Sequence, residues 1–585
     1  MAALVRGRWS TPSDPYGLTR LAPAARTETL NSQGRIFARI SRPNLSPESL
    51  DDGVSNMSTP SASSGSRPLV LSDRQGFNRR WFAPKLEAVY VPRNDDEAVA
   101  QVGEAVSRYG RDVKVVAGRH CYENFVYNDT TRAVVDMSSM TRVGWDGGRG
   151  AFFVEAGCEN WSVYRTLLNG YNKTLPAGSC YSVGAGGHIT GGGYGLLSRL
   201  HGLTVDHLSA VDIVTWNELT GSAELHHVSA SSDSTDERDL FWALQGAGCG
   251  NFGVILRYYF DELPNAPEFA SIYTLSWDWT SFDAESFADL LAGYGDYVSG
   301  LPETDFSLLK LTHVSAGQIG MVVQAVSPEG ATLLDHQAEV ERRYAEVVAR
   351  FGAIVEPSPL RFPLGGHPGW TTAVVGNESV QHVTYLEALQ TMNGSGPNQF
   401  GKYKSAYMNK GFPSNQVAAI YHWLNTTPKG VPASDMSQSL LQVDSYGGAV
   451  NRVAPGATAV PQRDAIMKLQ YQTYWLNASR PGEGSQGSDT QADAHLAWIN
   501  DFYRDVYADY GGTPNPANDP SGTVAGAYYN YPDNVLGTHA EGTVDDALWL
   551  YFLENFRAAP RNLVDVKRRW DPSDIFHHAQ SIPVR

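Results

Sequence analysis

Five stretches of the 585-residue chain hold side chains able to do chemistry. In KVVAGRHCYENF, residues 114–125, a strand-like run ends in a glycine turn and presents His120, whose neutral ring nitrogen is a nucleophile. Taken alone, a loop histidine without a role explains it better. AGSCYSVGAGGHITGGGYG, residues 177–195, is crowded with glycine and interrupted by Cys180, His188 and Tyr194. So many glycines predict neither a stable helix nor a strand interior. Their use would be to bring backbone N–H groups close to a pyrophosphate. DLFWALQGAGCGNFGVI, residues 239–255, supplies a second glycine loop, and two such loops suggest one long cofactor. AYYNYPDNVLG, residues 527–537, gathers three tyrosines and Asn530 beside a Pro532-Asp533 turn. It could be an aromatic core strand, or it could offer a phenol that removes a proton from a hydroxyl. In LLQVDSYGGAV, residues 440–450, alternation places Gln442, Asp444 and Tyr446 on one strand face, either a substrate wall or a solvent-facing edge.

The elements that must position these groups are legible in outline. LEAVYVPRNDDEAVAQVGEAVSRYG, residues 86–110, reads as strand, turn and amphipathic helix. VKVVAG, RAVVDM and AFFVEAG read as short strands and WSVYRTLLNGY as a helix, so residues 82–262 form an α+β unit. Within 267–520, ASIYTLSWDW, FSLLKLTHVSA and IGMVVQAVS read as strands of one sheet. ATLLDHQAEVERRYAEVVARFG reads as a covering helix with Gly352 as its C-cap. DALWLYFLENFRAAPRNLVDVKRRWDP reads as helical up to Pro572, within a closing segment 521–585. Residues 1–66, rich in Ser, Pro, Arg and Asn, read as a flexible tail.

Composition narrows the class of function. The formal net charge of −17 disfavours nucleic acid and anionic membrane as partners. No apolar run reaches the ~18 residues that span a bilayer. The first twenty residues show no apolar secretory core, so a cytoplasmic location is expected, with export as the alternative. Four cysteines without a CxxC pair predict neither a zinc site nor a disulfide framework, and no metal is expected.

Together these stretches resemble the berberine-bridge-enzyme-like branch of the vanillyl-alcohol-oxidase flavoproteins, from about Phe82 to the C-terminus. The most specific element is a histidine after a glycine turn, followed by G-x-C-x-x-V-G-x-G-G-H at Gly178, Cys180, Val183, Gly184, Gly186, Gly187 and His188. Y-x-N-Y at Tyr528–Tyr531 and VKRRWDPSDIFHHAQSI near the end also match. HCYENF, KSAYMNKGF and DSYGG bring the chain closest in look to its aclacinomycin and sugar oxidases. The family usually has Gly-Gly before the histidine, whereas this chain has Gly118-Arg119.

The resemblance implies an α+β fold with a two-part FAD-binding domain and a substrate domain built on an antiparallel sheet covered by helices. It implies covalent FAD, with His120 on the 8α-methyl and Cys180 on C6. Gly118, Arg119, Val183, Gly184, Gly186, Gly187, His188, Gly192, Gly193, Gly248, Gly250, Asn251, Gly253 and Asn530 would contact the cofactor. Gln442, Gln470 and Tyr528 would contact substrate. Valine at 183, the place of an oxygen gate, implies O2 as acceptor and hydrogen peroxide as product. Tyr531 would take a hydroxyl proton, assisted by Asp444 or Tyr446, while hydride passes to the flavin. The expected substrate is a small molecule, a sugar or glycosylated natural product. Oxidative ring closure of an alkaloid or polyketide is the alternative. A flavin binder without catalysis fits poorly with the presence of Tyr531, Asp444 and Val183.

Overall fold

The computed structural model describes residues 67–361, 380–392, 394, 399–475, 490–537 and 542–585. The expected tail, 1–66, lies outside the described residues.

The first sheet is parallel and three-stranded, with β1 (Ala88–Tyr90), β2 (Val113–Val116) and β3 (Ala133–Asp136) in the order β1-β3-β2. The helix Asp95–Tyr109 makes the crossover between β1 and β2. Asn94 caps it by accepting from the Glu97 N–H, three acidic residues follow in its first turn, and Ala98, Val102, Ala105, Val106 and Tyr109 are buried. What matters for function is the exit of β2, which runs straight into Gly118 and His120.

A second, antiparallel sheet contains β4 (Val143–Asp146), β5 (Ala151–Glu155), β6 (Ala210–Asn217), β7 (Ser222–Ser229) and β8 (Val254–Phe260), ordered β4-β5-β8-β6-β7. The first glycine segment lies between β5 and β6, and the second leads into β8. One expectation fails here, because Ala185–Thr190 in the first segment is a short helix. Tertiary bonds supply what propensity lacks: Ala185 N–H donates to Cys158 O at 2.7 Å, and Gly186 N–H to Ala156 O at 2.8 Å.

The third sheet is antiparallel and seven-stranded. It comprises β9 (Phe269–Asp278), β10 (Asp305–Thr312), β11 (Gln318–Val326), β12 (Gln381–Thr384), β13 (Phe400–Met408), β14 (Leu440–Ser445) and β15 (Met467–Trp475), in the order β12-β9-β11-β10-β14-β15-β13. The helices Leu333–Gly352 and Thr490–Val506 pack on β9 and β15. Every residue of β10, β11, β13 and β15 is buried, so both faces are covered. Buried strands are normally apolar, yet these carry Lys310, Lys402, Lys404, Lys468, Gln470 and Gln472. Such groups demand partners, and that demand marks the face that meets the rest of the fold.

Two further boundaries differ from expectation. Gly352 is the last helical residue, and Ala353 caps the helix in the right-handed region. The C-terminal stretch is three helices, Val544–Phe552, Glu554–Arg557 and Leu563–Trp570, interrupted where Leu553 turns at φ 47°. Among the described residues no helix is long and apolar enough to cross a membrane.

Candidate active site

All three sheets contribute to one cavity of about 340 Å³. At its wall the turn after β2 packs backbone to backbone against the glycine segment: a Cβ on Gly118 would strike Gly184, and the reverse. Glycine at both places is therefore what lets His120 reach the segment that carries Cys180. Arg119 adopts φ 60°, the left-handed region that disfavours a side chain. Its guanidinium is held by the buried Asp136 at the end of β3, with Asp73 at 3.6 Å, which compensates for the departure from Gly-Gly.

His120 stacks on Phe77 at 4.6 Å and its Nε2 lies 2.9 Å from Ser182 Oγ. Burial pushes its pKa down to about 4, so the imidazole is neutral and keeps a nucleophilic nitrogen. Cys180 also lines the cavity. Burial pushes its thiol up to about 11, with Lys310 and Lys468 pulling the other way.

Val183, Gly184, Gly186, Gly187 and His188 line the same cavity. His188 Nε2 accepts the Gly178 N–H at 2.8 Å and so staples the glycine segment across ten residues. Gly250 and Gly253 line it from the second loop, as does Asn530, whose side chain donates to His188 O at 3.0 Å. A Cβ on Gly187 or Gly250 would meet nothing within 4 Å, so both open onto free space that a bound group can fill.

Four residues expected to contact the cofactor do not line this cavity. Gly192 and Gly193 turn at φ 117° and 67°, away from the cavity lining, and a Cβ on Gly193 would strike Thr204. Gly248 packs on Thr190. Asn251 is a buried tie: its amide donates to Ala247 O and Tyr529 Oη, its Oδ1 accepts the Ile582 N–H, and its carbonyl accepts from Lys567.

Tyr531, Tyr528, Gln442, Asp444 and Gln470 line the same cavity. Gln442 and Asp444 share a face of β14, and the Gln442 amide donates to Asp444 at 2.8 Å. Tyr446 lies one residue past that strand, fully buried, packed against Tyr194 and Tyr407 rather than lining the cavity. The side chain that meets Tyr531 comes instead from β15. Lys468 Nζ lies 4.0 Å from the Tyr531 ring centroid, 4.3 Å from that of Tyr194, 4.8 Å from that of Tyr528 and 3.7 Å from Asp444. Burial lowers its ammonium to about 8 against the pull of Asp444, and raises the Asp444 carboxyl against the pull of Lys468. Burial likewise holds the Tyr531 phenol well above its ordinary value.

Tyr122, also unanticipated, stacks on Tyr403 at 3.7 Å and on Tyr531 at 5.6 Å, and its hydroxyl accepts from Gln470 at 3.2 Å. The sequence held a clue to Lys468, since Lys468, Gln470 and Gln472 alternate along an otherwise hydrophobic strand. Among the described residues no group of three His, Cys, Asp or Glu could hold a metal ion. A neutral histidine and a thiol beside open glycine backbone fit a flavin dinucleotide.

Comparison with known proteins places this geometry. The FAD binding domain family matches residues 86–220, and the berberine and berberine-like family matches residues 527–583. The chain is 38% identical over 535 residues to the hexose oxidase of Chondrus crispus, covering 88% of this chain and 94% of that protein. It is 34% identical over 531 residues to the aclacinomycin-N/aclacinomycin-A oxidase of Streptomyces galilaeus, covering 87% of each. The crystal structure of a glycopeptide hexose oxidase complexed with teicoplanin matches with a TM-score of 0.72 at 30% identity, over 88% of this chain and 96% of that one.

Proposed function

Because the chain belongs to the berberine-bridge-enzyme-like family of FAD-linked oxidoreductases, we propose that it oxidises a hydroxyl of a sugar or glycosylated natural product. In this reading His120 and Cys180 both bond the flavin, and O2 takes the electrons to give hydrogen peroxide. The flavin, when bound, supplies the acceptor for the carbon-bound hydrogen as hydride and the route of the electrons to oxygen.

The chain's own residues do the rest. The side-chain amides of Gln442 and Gln470 line the cavity beside Tyr531, a wall suited to a polyol and poor for an apolar aglycone. Tyr531 takes the hydroxyl proton. A buried phenol resists that role, since desolvation disfavours phenolate. The ammonium of Lys468 over its face is the group that offsets the penalty, because a cation there stabilises negative charge on the ring. Asp444 steadies that ammonium. The arrangement of Lys468 between Asp444 and Tyr531 is the single observation that carries the proposal.

The test begins with acid precipitation, where a yellow pellet supports covalent flavin. Anaerobic mixing with a panel of sugars and free aglycones follows. Bleaching by sugars supports the reading, and bleaching by aglycones alone moves the function to oxidative ring closure on the same scaffold.

A further inference from the structure

A second buried charge cluster lies outside the groups just described. Lys402 and Lys404 alternate along β13, and both are 0% exposed. The Lys402 ammonium donates to Glu123, to Asp533 Oδ1 at 2.5 Å and to Asn534 Oδ1 at 3.0 Å. The Lys404 ammonium donates to Asp533 Oδ2 at 2.6 Å. Glu123 and Asp533 are each 1% exposed. Burial pushes the Asp533 carboxyl up, and the two lysines more than reverse it, so the carboxyl is held below its ordinary range.

The placement of the two acids is what gives the cluster meaning. Glu123 follows Tyr122 directly and stands three residues after His120. Asp533 stands two residues after Tyr531. These loops are about 400 residues apart in sequence and come from different parts of the fold. Among the described residues no backbone hydrogen bond joins them; the Tyr122–Tyr531 ring stack and the ammonium of Lys402 do, and only the ammonium ties them by hydrogen bonds to charged groups. The Asp533 loop is held on its other side too, where Asp533 N–H donates to Tyr551 Oη at 3.1 Å and Gln580 donates to Asp533 O at 2.7 Å.

We propose that Glu123, Lys402, Asp533 and Lys404 form a positioning clamp that fixes the loop of His120 and Tyr122 relative to the loop of Tyr531. The clamp rests on the proposed reading in which those loops carry cofactor attachment and proton removal. Buried ion pairs are a poor source of net stability, because desolvation consumes most of the attraction. They do impose geometry, since each oxygen must meet its ammonium or stand unpaired in a low dielectric. A displacement of about 1 Å between reacting groups can slow a reaction by on the order of 100-fold.

The decisive measurement is hydrogen exchange on the holoprotein with Glu123→Gln, paired with anaerobic flavin reduction. Among the described residues the Glu123 carboxylate reaches residues 527–537 through Lys402, and the Tyr122–Tyr531 stack stays in place in this variant, so faster exchange there as well as at 118–126, with helix 333–352 unchanged, is the expected result. Flavin reduction at saturating substrate should slow by about tenfold or more, while substrate Kd changes by less than about twofold. Lys402→Arg should keep both near wild type. If Glu123→Gln does not fold, the double variant Glu123→Gln/Lys402→Met removes both charges together and takes its place. Exchange that rises at 118–126 alone, or an unchanged reduction rate with both loops loosened, overturns the clamp. Wild-type protein with no covalent flavin would defeat the functional reading instead, and the exchange coupling between the loops would still decide whether the clamp exists.

Discussion

Lys468 Nζ lies 4.0 Å from the centroid of the Tyr531 ring and 3.7 Å from the Asp444 carboxylate, and it also faces the rings of Tyr194 and Tyr528 at 4.3 and 4.8 Å. The lysine is 0% exposed and, among the described residues, Nζ has no hydrogen-bond partner, so its charge faces the Asp444 carboxylate and the aromatic rings rather than solvent. In the proposed reading this ammonium is the group that favours proton loss from the phenol.

Removing the phenol separates binding from chemistry. Tyr531→Phe should retain flavin and substrate affinity but slow anaerobic flavin reduction by about 10²–10⁴-fold. Lys468→Met should slow the same step by about tenfold, the size of a desolvated cation–π contact of ~1.4 kcal/mol. Stopped-flow absorbance reads both, and a Lys468→Met rate equal to wild type would remove the lysine from the proposed mechanism.

The two attachment residues should be separable. His120→Ala and Cys180→Ala should each leave colour in an acid-precipitated pellet, held by the other bond, while the double variant releases all of it to the supernatant. Colour lost entirely in one single variant would mean that only one bond exists.

Oxygen access should depend on residue 183, which lines the cavity one residue before the Gly118–Gly184 contact. Val183→Leu should reoxidise several-fold more slowly in air with anaerobic reduction unchanged. Equal reoxidation traces would show that oxygen does not pass this side chain.

Acid should weaken the glycine segment. Burial, with Lys468 nearby, lowers the His188 imidazole to about 4, against about 6.5 for an unfolded histidine. Between those values the unfolded chain binds the extra proton, so the contribution of His188 is intact above about pH 6.5 and is lost as pH falls toward 4. At pH 5 that loss is ~2 kcal/mol. His578, lowered to about 3 by burial and by Lys114 and Lys567, acts with the same sign. The melting temperature should fall between pH 7 and pH 5, and His188→Gln, which can still accept the Gly178 N–H, should fall less. Parallel curves would count against this account.

Much of this protein is legible before any fold is known. The glycine spacing around His120 and Cys180 is local information, since a turn needs glycine wherever backbones meet, as at Gly118 and Gly184. The periodicity of residues 95–109 and of the strands β9 to β11 is equally local. Less legible were the ends of elements. Gly352 stays helical as the last residue of its helix, and the glycine-rich Ala185–Thr190 becomes helical because tertiary hydrogen bonds to Cys158 and Ala156 outweigh propensities worth about 1 kcal/mol per residue.

The sequence by itself determined the family to which the chain belongs and the candidates for flavin attachment and proton transfer, because residue type and short spacing carry that resemblance. Only the tertiary structure decided that Lys468 rather than Tyr446 faces Tyr531, that Asn251 and Gly193 serve packing, and that Glu123 and Asp533 share one lysine. Strand alternation tells which residues share a face, but the neighbour of that face is set by the order β10-β14-β15-β13. That order joins residues hundreds of positions apart, and short spacing holds no record of it.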